Sequence, residues 1–199
     1  RLNAGALPVP IDLVSQQTVG PTLGAISLDR SLNAGLIGLV LVALFMMLYY
    51  RLPGVLSVIA LSAYALIVLM IFKMLPVTLT LPGLAGFILS IGMAVDANVL
   101  IFERLKEELD LGRNLERAID QGFRRAWTSI RDGNVTTLIA CAILFWFSTS
   151  FIQGFALTLA IGVLVSMFSA ITITRVLLLL VSRFKKLSRP SFFGVKEIR

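Results

Sequence analysis

Long apolar runs separated by short polar punctuation dominate the chain. Five of them can cross a hydrocarbon layer about 30 Å thick at about 1.5 Å rise per residue. They run roughly over 32–50, 55–72, 81–102, 134–151 and 155–182. Asp96 lies inside the third run and Arg175 inside the fifth, while the other three carry no charge. Pro53 and Gly54 predict a tight turn between the first two spans, and Pro76 and Pro82 bracket the link to the third. Residues 1–30, with Pro8, Pro10 and Pro21 and no helical period, read as an extended stem, and 185–199 as a basic tail. Between the third and fourth spans, Asn114 is a candidate N-cap. Leu115, Ala118, Ile119, Gly122, Phe123, Ala126 and Trp127 then recur on one face, opposite Arg117, Asp120, Arg124 and Arg125. That spacing predicts an amphipathic helix over 114–128 lying at the membrane interface, with Trp127 at headgroup depth and Asp120 paired to Arg124. It serves either as an elbow covering the base of the bundle or as a docking face. The expected fold class is all-α integral membrane: a five-helix transmembrane bundle with a cytoplasmic interfacial helix.

Composition removes the soluble alternatives. Of 199 residues, 57% are hydrophobic and 15% charged, against roughly 45–50% and 25% in an average soluble domain. There is no histidine and a single cysteine, Cys141, so metal centres and disulfide frameworks lack ligands, and neither a metal nor a cofactor is expected. The net charge of +7 reports orientation in such a chain rather than nucleic-acid binding. Alternating the spans puts fourteen Lys and Arg on one side and only Arg1, Arg30 and Lys73 on the other. The imbalance predicts that the 103–133 connection and the C-terminus are cytoplasmic and the N-terminus is outside. The chain opens on Arg without a signal peptide, so a preceding span or signal sequence in a longer polypeptide is expected.

Asp96 is the most informative residue. A carboxylate at mid-span costs about 2.5–3.5 kcal/mol on insertion scales, and such residues normally face a bundle interior, paired, hydrated or protonated. Its residue type suits a group that alternately takes up and releases a proton; the competing reading is a buried helix–helix hydrogen bond. Around it, Gly86, Ser90 and Ala94 recur every four residues, with Gly92 beside them, and Thr158, Gly162, Ser166 and Ala170 repeat the pattern in the last span. Such small-residue faces let helices approach closely, and they predict that the third, fourth and fifth helices meet near Asp96. Asn98, Asn134 and Thr137 are candidate supporting polar groups. Asp132 is either an N-cap for the fourth span or a second proton-exchanging group. Arg175 either snorkels toward the nearer interface or acts as a counter-ion. Aspartyl proteolysis within the membrane needs two carboxylates sharing one site. Asp96 at mid-span and Asp132 at a helix mouth do not supply it, so no catalytic residue is assigned.

The run Leu81-Pro82-Gly83-Leu84-Ala85-Gly86, then Gly92-Met93-Ala94-Val95-Asp96-Ala97-Asn98-Val99 onward to Arg104, then Lys106 to Leu109, resembles a span of the SecD family of protein-export membrane subunits. Asn3 to Pro10, Val19 to Gly24, Asp132 to Leu138, and Gly154 to Phe168 with Thr174-Arg175 agree with it in order. Gly133 and the stretch Ser148 to Gln153 depart from the family pattern. The resemblance implies a fold of the resistance-nodulation-division superfamily in the bacterial cytoplasmic membrane, with these spans as its second to sixth. It further implies a proton-motive-force-linked role for Asp96, protons as the coupling ion, and no enzymatic activity. The partners it implies are a SecF-like subunit, a SecYEG-type translocon, the translocating preprotein and membrane lipids. A small-molecule or lipid exporter on the same architecture is the alternative.

Overall fold

The computed structural model describes residues 21–75, 77, 79–184 and 193, with side chains from residue 24 onward. The helices are α1 (Pro21–Tyr50), α2 (Leu52–Met74), α3 (Leu81–Asp110), α4 (Leu115–Phe147), α5 (Ser150–Phe168) and α6 (Arg175–Ser182), with a π-helical segment, Ser169–Thr174, joining the last two into one rod. Five helical units are long and apolar enough to cross a membrane, and the described residues contain no strand. The all-α five-span architecture expected from the apolar runs is the one observed.

Local chemistry sets the helix ends, in several places differently from the expectation. Pro21, favoured in a first helical turn, opens α1, so residues 21–30 are helical rather than an extended stem; Asn33 donates to Asp29 one turn back, at 3.2 Å. The stem reading of 1–20 and the tail reading lie outside the described residues, apart from Phe193, which is buried in the core. The turn between α1 and α2 is made by Arg51 alone, at φ 53°, while Pro53 and Gly54 sit inside the first turn of α2. Gly54 is needed there because a Cβ would collide with the backbone carbonyl of Met46. Thr80 caps α3 by accepting from the Gly83 amide at 3.3 Å. The fourth span ends at Phe147, and Phe151 belongs to α5, leaving Ser148 and Thr149 as the corner.

The largest departure concerns the amphipathic segment. Asn114 is indeed an N-cap, its side chain accepting from the Arg117 amide at 3.0 Å, but the helix it starts runs unbroken for 33 residues. The interfacial helix and the fourth span are therefore one element. No proline interrupts 115–147, and the charges of Arg131 and Asp132 satisfy each other on the helix surface at 2.9 Å. The predicted apolar face is real, but its partner is a protein helix. α3 continues to Asp110, and Leu115, Ala118, Ile119, Phe123 and Ala126 pack in one core with its Ile101, Phe102, Leu105 and Leu109. Gly122 permits this approach, since a Cβ would stand 3.0 Å from the Leu105 amide nitrogen. Glu108, 2% exposed, closes the corner by pairing with Arg113 and, at 2.7 Å, with Arg125, which also reaches Glu107 at 3.0 Å.

α3 runs through the middle of the assembly. It packs on α5 along the small-residue stripes, on α4 through the core just described, and on α2 through Tyr64, Val68 and Phe72, which surround Ala94 together with Val165. α4 and α5 meet through Cys141, Ala156, Leu159 and Val163.

Candidate functional site

The helix period decides which way each polar group of α3 points. At about 100° per residue, positions 96 and 98 lie on nearly opposite sides, and the two side chains end in different environments. Asn98 is buried and Asp96 is exposed. The expectation that Asp96 faces the interior of these five helices does not hold. The inward sides of α3 are taken by Gly86 and Ser90 against α5 and by Ala94 and Asn98 against α2, and the remaining side opens outward.

Asp96 lines a cavity of about 260 Å³ between α3 and α4, with Ser129, Asn134 and Thr137 across from it and Met93 and Leu100 on its own helix. Asn134 is buried at the wall of this groove, and Thr137 donates to the Gly133 carbonyl at 3.1 Å. Asp96, Asn134 and Thr137 are thus brought together as the sequence suggests. Among the described residues no cation pairs with Asp96. The site is an intramembrane carboxylate at an open helix–helix groove, faced by an amide and two hydroxyls.

The other candidates separate from it. Asp132 lies in the middle of α4, so it is no N-cap; its carboxylate accepts from Arg131 Nε at 2.9 Å and stays exposed. Arg175, at the start of α6, does not reach Asp96. It pairs with Asp120 at 2.9 Å and stands over the Phe123 ring at 5.9 Å. Asp120 consequently turns to Arg175 across the helix interface instead of pairing with Arg124 along its own helix.

Asn98 belongs to a buried network that the sequence does not announce. The Thr174 hydroxyl donates to Asn98 Oδ1 at 2.9 Å, and Asn98 Nδ2 donates to Ser57 Oγ at 3.3 Å, tying the rod of α5 and α6, α3 and α2 together. The π-helical segment is what allows it: the wider turn brings both Ser169 and Thr174 inward, Ser169 donating to the Ala60 carbonyl at 3.4 Å. Such π turns interrupt α-helices at functional positions more often than elsewhere. Asn98→Leu strands the buried hydroxyls of Ser57 and Thr174 and should lower stability by about 1–3 kcal/mol. Thermal unfolding of the purified protein in detergent checks it, and an unchanged unfolding temperature contradicts the network's contribution.

The packing stripes are used, with one exception. A Cβ on Gly86 would stand 2.7 Å from the Phe155 carbonyl, and one on Gly162 would collide with the Ser90 side chain. Ser90 donates to the Phe87 carbonyl at 2.6 Å and therefore accepts from the Tyr64 hydroxyl at 2.7 Å. The Thr158 hydroxyl donates to the Gly83 carbonyl at 2.8 Å, and Ser166 donates to Val163 within α5. Gly92 is not part of the stripe, having nothing within 4 Å of a built Cβ; it faces a groove beside α1.

Five membrane-length helices, the central one of which carries a carboxylate at mid-length, define a polytopic membrane protein. Residues 6–183 match the family described as protein export membrane protein SecD/SecF, C-terminal, and the chain belongs to that family. A protein translocase subunit SecD from Thermobaculum terrenum is 63% identical over 182 residues, covering 89% of this chain and 35% of its own length. One from Synechocystis is 60% identical over 181 residues, covering 91% of this chain and 38% of its own. The chain thus spans little more than a third of these relatives. The crystal structure of SecDF from Thermus, described as a translocon-associated membrane protein, superposes with a TM-score of 0.81 at 40% identity over 83% of this chain and 23% of that one.

Proposed function

We propose that this chain is the membrane-embedded C-terminal portion of an accessory subunit of the Sec protein translocase in the bacterial inner membrane, using the proton motive force to assist export. The observation that carries the reading is the position of Asp96: mid-helix in α3, which packs on α1, α2, α4 and α5, without an ion-pair partner among the described residues, and open on its outer side to a groove walled by Asn134 and Thr137. A carboxylate so placed can be occupied alternately by a proton and by polar neighbours. A SecF-like subunit is the partner that covers the Asp96 side, which the described residues leave open. Each proton moved along the potential supplies about 2.3 kcal/mol per 100 mV, enough to shift a two-state equilibrium by tens of fold; several protons serve one exported chain. The family match and the translocase names of the relatives support the export assignment over a small-molecule exporter of the same architecture.

The test is restoration. Membrane vesicles depleted of the full-length protein should lose the component of preprotein export that a protonophore abolishes, and regain it when the protein is supplied. The purified protein should bring down a SecF-like subunit and translocon subunits. Unchanged protonophore-sensitive export in depleted vesicles, with small molecules in place of those subunits in the purified material, overturns the reading in favour of the exporter.

A further inference from the structure

At the end of the bundle where α3 and α4 turn, a cavity of about 240 Å³ opens sideways between α3, α4 and the π-helical segment. Its floor is aliphatic, made by Ile101, Ile130 and Ile171, and its rim carries two guanidinium groups, Arg124 and Arg175, with the Trp127 indole beside them. Apolar depth below and paired cations with an indole above is the chemical profile of a lipid: acyl chain inward, phosphate at the rim, glycerol region against an interfacial ring. Arg124 forms no ion pair among the described residues. Arg175 is oriented by Asp120 and the Phe123 ring, so one nitrogen is committed and the rest of its donor fork is not. Two guanidiniums against one carboxylate leave a net positive charge at the mouth, which a zwitterionic headgroup does not neutralise and an anionic one does.

We propose that this cavity is a specific site for an anionic phospholipid, its phosphate held between Arg124 and Arg175 and the start of an acyl chain laid on Ile101, Ile130 and Ile171. The lipid would bridge α4 to the π-helical segment and the start of α6, whose residues line the cavity together. Neither guanidinium lines the Asp96 groove, although Ile130 lines both cavities, and the site does not rest on the export reading.

Trp127, 36% exposed at the rim, is the reporter. The full-length protein, reconstituted in vesicles containing phosphatidylglycerol or phosphatidylcholine brominated along the acyl chain, is compared with its Trp127→Phe variant to isolate the Trp127 emission. Brominated phosphatidylglycerol at low mole fraction in an unbrominated phosphatidylcholine background should quench Trp127 at a several-fold lower fraction than brominated phosphatidylcholine does. Arg124→Gln, which breaks no ion pair, should remove that preference while leaving the emission maximum and the unfolding temperature unchanged. Equal quenching by the two lipids, or a preference that survives Arg124→Gln, overturns the proposal. So does loss of the preference on adding inorganic phosphate at constant ionic strength, which reassigns the rim to a free anion.

Discussion

Asp96→Asn should abolish the protonophore-sensitive part of export while abundance, insertion and partner assembly stay near wild type. The amide keeps the shape of the carboxyl and is cheaper to hold in an apolar span. Because no cation among the described residues pairs with Asp96, the substitution strands no buried charge among them, which is where the large costs of breaking ion pairs arise. What it removes is titration. Asp96→Glu, which restores a titratable group about one methylene further out, should recover part of the activity, and a purely structural hydrogen-bonding role would instead be satisfied by Asn and disturbed by Glu. The measurement is preprotein export into energised vesicles with and without protonophore at matched protein levels. Normal protonophore-sensitive export by the Asn variant would sink the proton-carrying assignment.

Gly162→Leu should produce the largest loss of folded protein of any single change on the small-residue stripes. Even a Cβ would run into Ser90 and come within 3.0 Å of the Tyr64 hydroxyl, and both neighbours are held, Ser90 by the Phe87 carbonyl and Tyr64 by Ser90. A Leu has to push α5 off α3, the most extensive contact in the bundle, and overpacking of about 1–3 kcal/mol or more is the usual consequence. Gly92→Leu adds the same apolar bulk two residues beyond Ser90 but meets nothing within 4 Å, so it should leave the yield and unfolding temperature near wild type. The comparison separates helix packing from mere hydrophobicity. A several-fold lower detergent-extracted, monodisperse yield for the Gly162 variant, against little change for the Gly92 variant, is the expected result; equal behaviour of the two contradicts it.

The spans, their order, the Asn114 cap, the apolar face of residues 115–126 and the singular position of Asp96 were all legible in the chain, because hydrocarbon demands long apolar helices and a lone carboxylate stands out against them. The pairing of the Gly86 and Gly162 stripes was legible for the same kind of reason: small residues at a four-residue spacing mark where backbones approach. Partners were not. Whether the face beginning at Leu115 lies on a membrane or on another helix depends on how far α3 extends, and in residues 103–110 the leucines that meet that face, Leu105 and Leu109, stand among six charged residues, of which Glu108 is buried between two arginines. Asp132 had the composition of a cap and became a surface residue of a continuous helix, since nothing in 129–133 stops helical propagation. The side on which Asp96 opens depends on the rotation of α3 against its neighbours, and the bridge from Ser57 through Asn98 to Thr174 on the π-helical register of the last span. One-dimensional pattern determines which segments are helical and which faces are apolar, because those follow from local burial energies. Which face meets which, and where a polar group finds its partner, follow from helix rotation and register, quantities that only the packed assembly defines.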